Sequence, residues 1–364
     1  FACNYNYSAN VDDGSCLYPI SSLDSITICN SSYTWPLNGQ TYTTSGTYTS
    51  SISNPFSPTL TGTYDTPDYA LGVTVNGNYA YVADGSSGLQ IINISNPSNP
   101  TLSGTYDTPG YARGVRVNGN YAYVADGGSG LQIIDISNPS SPTLTGTYDT
   151  PDYALGVTVN GNYAYVADVD YGLQIIDISN PSAPTLTGTY DTPGSAYGVS
   201  VNGNYAYVAD WGSGLQIIDI SNPSVPTLTG TYDTPSSAQG VSVNGNYAYV
   251  ANWGSGLQII DISNPSNPTL SGTYNTPGYA RDVSVNGNYA YVADETSGLQ
   301  IIDISNPSSP TLAGTYNTPG HARGVRVNGN YAYVAEGNSG LQIIDIASNC
   351  TLDSLILSID ICGC

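Results

Sequence analysis

The chain has no lysine and no methionine, one histidine and two phenylalanines among its 364 residues. Without lysine there is no Schiff-base chemistry, no phosphate-loop lysine and no Lys–Asn isopeptide cross-link. Charged residues make up 9% of the chain, and 27 acids face five bases for a formal net charge of −22. The five bases are Arg113, Arg116, Arg281, Arg323 and Arg326. A surface of that sign repels nucleic acid and anionic lipid and attracts cations. The longest apolar runs are strand-length, well short of the roughly 20 residues a membrane-spanning helix needs. No membrane insertion is therefore expected. No methionine opens the chain and no signal peptide is seen, so it reads as a mature or excised piece of something longer.

What the chain does have is repetition. Val-Asn-Gly-Asn-Tyr-Ala-Tyr-Val-Ala begins at Val75, Val117, Val159, Val201, Val243, Val285 and Val327, seven times at a spacing of 42 residues. A period of about 40–45 residues built from short strands marks a β-propeller blade. One unit runs from Tyr111 to Thr150. Ala112 to Val117 is small and β-branched, suited to the crowded axis. Asn118-Gly119 predicts a type I′ turn, which needs positive φ at both central residues. Tyr121 to Ala125, Leu131 to Ile136 and Thr143 to Tyr148 supply three further strands. Two prolines, Pro139 and Pro142, interrupt the chain before the last of them.

The ends of the repeat show how the ring closes. Pro58 to Tyr64 is an outer-strand sequence that precedes any inner strand, while Gly340 to Ile346 has no outer strand after it. The N-terminal segment is therefore expected to complete blade seven, which removes an open sheet edge. The predicted fold class is all-β: a seven-bladed β-propeller of four-stranded blades, plus a small disulfide-stapled module formed by the two termini. The expected organisation is a Cys/Asx-rich motif at 1–20, a propeller at 51–346, and a flanking β module made of 21–50 and 347–364.

Ala-Arg-Gly-Val-Arg-Val-Asn-Gly-Asn-Tyr-Ala-Tyr-Val-Ala-Asp followed by Gly-Leu-Gln-Ile-Ile-Asp-Ile-Ser-Asn-Pro resembles the LVIVD repeat, found in bacterial and archaeal surface proteins. The likeness extends over all seven units. It implies the propeller fold and an extracellular address, and it brings no catalytic residues.

All six cysteines lie outside the repeat: Cys3, Cys16, Cys29, Cys350, Cys362 and Cys364. An even number in small polar flanks points to disulfides and an oxidising compartment. Zinc is the weaker reading, since no C-x-x-C pair occurs and His321 is far off in sequence. Asn4, Asn6, Asp12 and Asp13, close to the Gly14 turn, offer oxygen ligands for Ca²⁺; the alternative is an Asx-rich turn stapled by cysteines. This N-terminal stretch resembles a short cysteine motif that recurs in tandem on secreted proteins of marine Bacteroidota. Residues 21–50 together with 349–359 resemble a second secreted Bacteroidota module, here split by the ring. That resemblance makes Cys29 and Cys350 the natural disulfide pair. Cys362-Gly-Cys364 looks like the start of another N-terminal motif. Cys362 and Cys364 would then bond Cys3 and Cys16 of a next copy; the alternative pairs the same four within one chain.

Features repeated in every blade serve the fold, so the Asp135 series and the tyrosine pairs of the second strands are read as structural. Variation gathers in the loop between the second and third strands and in the blade-to-blade loop, which emerge on one rim. That rim is expected to display Asp168, Asp170 and Tyr171 on blade three, Trp211 on blade four and Trp253 on blade five. Arg113, Arg281, Glu295, His321, Arg323 and Glu336 are expected on it too. Aromatic faces beside carboxylates suit stacking on sugars; alternatively each tryptophan covers only its own loop. His321 has no nucleophile and orienting group to work with. Three functions follow in order of preference. First is a non-enzymatic extracellular structural or adhesive module, one unit of a longer surface protein or filament, with copies of itself as partners. Second is a glycan-binding propeller using the rim. Third is an enzyme.

Overall fold

The computed structural model describes residues 23–28, 33–34, 41–44, 46–51, 57–347 and 354–361. The chain divides into two units, Phe1–Ser57 with Ala347–Cys364, and Pro58–Ile346. In the first, Ser354–Ile361 is the middle strand of a three-stranded sheet, parallel to Leu23–Ile28 and antiparallel to Gly46–Ser51. Tyr33–Thr34 pairs antiparallel with Thr41–Tyr42. The six cysteines and the candidate calcium ligands Asn4, Asn6, Asp12 and Asp13 lie outside the described residues.

The second unit is a seven-bladed propeller in which each blade is a four-stranded antiparallel meander. Blade two shows the pattern: Gly114–Asn118, Tyr121–Ala125, Leu131–Asp135 and Thr143–Tyr148, hydrogen-bonded in that order. The hairpin loop between the first two strands is Gly119-Asn120, with Asn118 opposite Tyr121; only Gly119 has positive φ, +57°, so the turn matches type II′, with glycine first, rather than the type I′ expected from Asn118-Gly119. Asp135 Oδ1 accepts from the Ser137 backbone N–H at 2.8 Å, and this Asx turn ends the third strand. Register between third and fourth strands slips at Ile133/Ile134, a β-bulge that adds twist to the outer edge. Thr59–Tyr64 is the fourth strand of blade seven, paired to Leu341–Asp345 in the register Leu341↔Tyr64 through Asp345↔Thr59. The ring is closed by a strand from the far end of the chain, as expected from the repeat count.

The core lies between blades rather than within one sheet. Tyr81, Ala83, Leu89 and Ile91 of blade one interdigitate with Ala112, Val115, Ala122, Val124 and Ile134 of blade two. Equivalent sets recur around the ring, and Tyr333, Leu341 and Ile343 of blade seven meet Val73, Val82 and Ile92 of blade one. Both faces of the middle strands are thus covered, which accounts for their continuous apolar runs.

Glycine marks where blades approach closest. At the axis a Cβ on Gly72 would lie 2.7 Å from the Arg113 carbonyl oxygen of the next blade, and one on Gly114 would lie 2.8 Å from that of Leu155. Six of the seven innermost strands carry glycine there; the seventh carries Asp282.

Candidate functional site

One rim is organised by a buried polar tie. The last residue before the loop joining second to third strands is Asp84, Asp126, Asp168, Asp210, Asn252, Asp294 or Glu336, each fully buried. Asp126 accepts from Thr108 Oγ1 at 2.6 Å and from the Gly110 N–H at 2.8 Å, both in the loop entering its blade. Burial pushes these carboxyls above the ordinary range; that holds for Asp84, Asp126, Asp168, Asp210, Asp294 and Glu336. Asn252 fills the same role as an amide, donating to Thr234 Oγ1 at 3.0 Å and accepting from the Ser236 N–H at 3.1 Å. Two expected rim residues, Asp168 and Glu336, are therefore internal, and a third, Glu295, is buried as well. Asp168 is held by Thr150 Oγ1 at 2.8 Å and the Asp152 N–H at 3.1 Å and faces no solvent. The signal was in the sequence, since an acid or asparagine recurs at this position in all seven units.

The next residue is where blades differ. Gly85, Gly127 and Gly337 have positive φ there, and each forms a β-bridge to the entry loop of the following blade. Trp211, Trp253 and Glu295 occupy the same place on blades four, five and six, bridged to Ala238, Ala280 and Ala322. Their φ values are 25°, 38° and 46°, a left-handed backbone that bulky side chains rarely adopt. Strain of this kind persists where the surroundings hold it in place, and it gathers at functional sites.

The side chains on this strained backbone join into an arc. The rings of Tyr197 and Trp211 are 4.8 Å apart, Trp211 and Trp253 6.0 Å, and Trp253 and Tyr279 4.8 Å. Both tryptophans are half-buried, with aromatic neighbours on each side. They do more than cover their own loops. The Arg281 guanidinium lies 3.8 Å from the Trp253 ring centroid and donates to Glu295 Oε1 at 2.8 Å. Arg323 meets the same carboxylate at 3.0 Å. Asp170 and Tyr171 sit together on a short 3₁₀ turn of blade three, both exposed, and Tyr171 makes no ring contact with the arc. His321 is exposed. Tyr197 and Tyr279 were not singled out by sequence, although they lie in the blade-to-blade loop expected to vary. Among the described residues no three His, Cys, Asp or Glu side chains are placed to hold a metal.

The arc borders the axial cavity. Tyr197, Arg281 and Arg323 line that cavity, whose volume is about 120 Å³.

The LVIVD repeat model matches residues 51–66 and then 67–108, 109–150, 151–192, 193–234, 235–276, 277–318 and 319–360. No curated protein matches the chain. Among solved structures, the RRP9 WD40 repeats superpose with a TM-score of 0.65 at 10% identity, over 82% of this chain and 100% of that one. The computationally designed Ika8 protein superposes with a TM-score of 0.61 at 7% identity, over 79% of this chain and 99% of that one. At such identities the likeness concerns the propeller fold alone.

Proposed function

The chain belongs to the LVIVD-repeat family, and on that premise we propose that it is a non-enzymatic extracellular adhesive module whose contact face is the rim of blades four to six. One observation carries the reading. Three consecutive blades place a bulky side chain on left-handed backbone where three others use glycine. The fold alone favours glycine at that position, so the tryptophans and Glu295 serve something besides the fold. The arc they form is the aromatic, partly exposed surface that binding faces favour.

A second reading is favoured by the same rings: partly exposed aromatic faces beside charged side chains suit stacking on sugars, as in a carbohydrate-binding face. Replacing both tryptophans by glycine tests the two together, because the variant matches blades one, two and seven and should fold at least as well. Wild type and W211G/W253G would be applied to a glycan array and to immobilised copies of the chain. Loss of attachment to the copies supports the adhesive reading, and loss on glycans supports the second. Equal attachment by both proteins rejects the rim as the contact face.

The address and assembly of the module rest on the flanks. We read the cysteines as disulfides of an oxidising compartment, with Cys29–Cys350 within the unit. Cys3, Cys16, Cys362 and Cys364 would staple neighbouring copies end to end. In the flanking sheet Ile28 stands opposite Ile361, and each is followed in the chain by a cysteine, Cys29 and Cys362. Non-reducing peptide mapping therefore has a named competitor: a Cys29–Cys362 peptide would reject the Cys29–Cys350 pairing. Calcium at Asn4, Asn6, Asp12 and Asp13 would appear as a calorimetric heat abolished by chelator, and its absence would remove the metal from the reading.

A further inference from the structure

Every base in the chain faces one place. Arg113, Arg116, Arg281, Arg323 and Arg326 all line the axial cavity, in a protein that carries 27 acids and no lysine. They stand in two tiers. Arg113, Arg281 and Arg323 are three residues before Arg116, Ser284 and Arg326 on blades two, six and seven, and stand at the mouth, Arg281 against Trp253 of the aromatic arc. Arg116 and Arg326 lie one strand step deeper, where the other five blades carry threonine or serine: Thr74, Thr158, Ser200, Ser242 and Ser284.

The carboxylates nearby do not neutralise them. Asp282 is the one acid in the cavity wall; it accepts from Arg326 Nη1 at 2.8 Å and from the Val325 N–H at 3.1 Å. Glu295 is shared by Arg281 and Arg323. Arg113 stacks on Tyr111, its guanidinium 4.8 Å from the ring centroid. Among the described residues no carboxylate lies within 4.0 Å of Arg113 or Arg116, and Arg116 donates only to the Val115 carbonyl, at 3.0 Å. Five guanidiniums against two carboxylates leave three positive charges around a half-open space. The Nε groups of Arg281 and Arg323 are buried without a hydrogen-bond partner. Protein surrounds the Arg116 guanidinium although some of its surface stays accessible. Burial and the nearby Arg326 push its pKa down to about 9, against a smaller upward pull from Asp282.

We propose that the axial cavity is a binding site for a tetrahedral oxyanion, a sulfate or phosphate group, held by Arg116 below and by Arg113 and Arg323 at the mouth. Guanidinium forks pair with such oxygens in bidentate fashion. A cavity of about 120 Å³ holds one such group and little more. The group is either a free ion or the substituent of a larger ligand lying outside. The geometry accommodates the second source, because Arg281 and Tyr197 belong both to the cavity wall and to the aromatic arc. The site itself does not depend on the rim being an adhesive face.

The test uses the whole chain, by calorimetry at fixed ionic strength made up with sodium chloride. Sodium sulfate, sodium phosphate, glucose 6-sulfate and glucose are titrated separately into wild type, R116S/R323L and W211G/W253G. Serine and leucine are residues the ring already uses at these two positions, so R116S/R323L should fold. Expected is saturable binding of sulfate or phosphate to wild type, weakened at least tenfold in R116S/R323L and unchanged in W211G/W253G. Glucose 6-sulfate binding more tightly than inorganic sulfate, with the excess lost in W211G/W253G, identifies a ligand substituent; equal affinity identifies a free ion. No saturable binding of either anion overturns the proposal. So does binding that R116S/R323L retains in full, which would place the anion elsewhere on the chain.

Discussion

Replacing Asp126 by alanine and by asparagine tests how each rim loop is tied down. Asp126 is fully buried and takes two hydrogen bonds, from Thr108 Oγ1 and from the Gly110 N–H. Alanine strands both donors. A buried donor left unsatisfied costs about 1–3 kcal/mol, and Gly110 is near enough to solvent to recover part of that. D126A should therefore lose about 2–4 kcal/mol of stability. Asparagine reproduces a geometry the chain already contains, since Asn252 bonds the equivalent threonine and backbone N–H. The two bonds lose charge assistance, and a carboxylate no longer has to be buried, which offset one another. D126N should stay within about 1 kcal/mol of wild type at pH 7.5. Urea unfolding followed by circular dichroism measures both. A second readout comes from pH. Burial holds the folded carboxyl of Asp126 above its ordinary value of 3.8, so its stabilisation is fully present below 3.8 and lost as pH rises through the folded value. Wild type should gain on D126N as pH is lowered from 7.5 toward 4. If D126N is as damaging as D126A, or D126A costs nothing, the tie does not hold the rim.

Three further outcomes are expected. In blade seven the longer Glu336 accepts from the Gly320 N–H at 3.0 Å, while Thr318 Oγ1 lies near the carboxyl without a well-formed hydrogen bond to it; Glu336→Asp should restore the motif of the other blades and stabilise by about 1 kcal/mol in urea unfolding, and a loss would contradict the reading. Stability of the whole ring should rise as pH falls from neutral toward 4. The six buried carboxyls with raised pKa all contribute in that direction, and protonation also relieves the net negative charge. Below about 3.8 it should fall again, because Asp135, Asp177, Asp219 and Asp261 are held below their ordinary value by Ser137, Ser179, Ser221 and Ser263, a stabilisation lost as they protonate; a monotonic fall from pH 7 downward would sink this. Deleting residues 51–66 removes the strand paired to Leu341–Asp345, exposing an open edge that should produce oligomers in sedimentation, whereas a monomer of unchanged stability would contradict the closure.

The ring was legible because its local signals agree in every unit. The Asn-Gly turn, the paired prolines, the strand-length apolar runs and the displaced outer strand all point to one closed meander. The site was only half legible. Trp211 and Trp253 stood out because they break the repeat, and the structure brings them into contact. Asp168 was misplaced because an acid beside a variable loop looks exposed, while its bond to Thr150 spans 18 residues that no local pattern connects. Arg116 and Arg326 were visible as bases but not as neighbours. That needs the ring, which sets blades two and seven on either side of blade one and turns residues 210 positions apart toward one axis.

Departures from seven-fold identity are informative because the other blades serve as controls within the same chain. Asp282 is the clearest case. Its position is glycine in six blades, where a Cβ would meet the neighbouring carbonyl oxygen at 2.7 to 2.9 Å. A side chain there works against the packing, so a separate interaction has to retain it. That interaction is with Arg326, itself the exception at a position otherwise held mostly by threonine or serine. The two exceptions meet each other, which accounts for both. Arg116 is the same kind of exception, yet Asp282 is already engaged by Arg326 and by Val325. Had the basic residues been introduced only to lock neighbouring blades together, each would be expected to bring its own acid, as Arg326 brings Asp282. Arg113 and Arg116 bring none. The unpaired excess is confined to the axis of a chain that is otherwise acidic, and that confinement distinguishes an anion site from a scatter of surface charge.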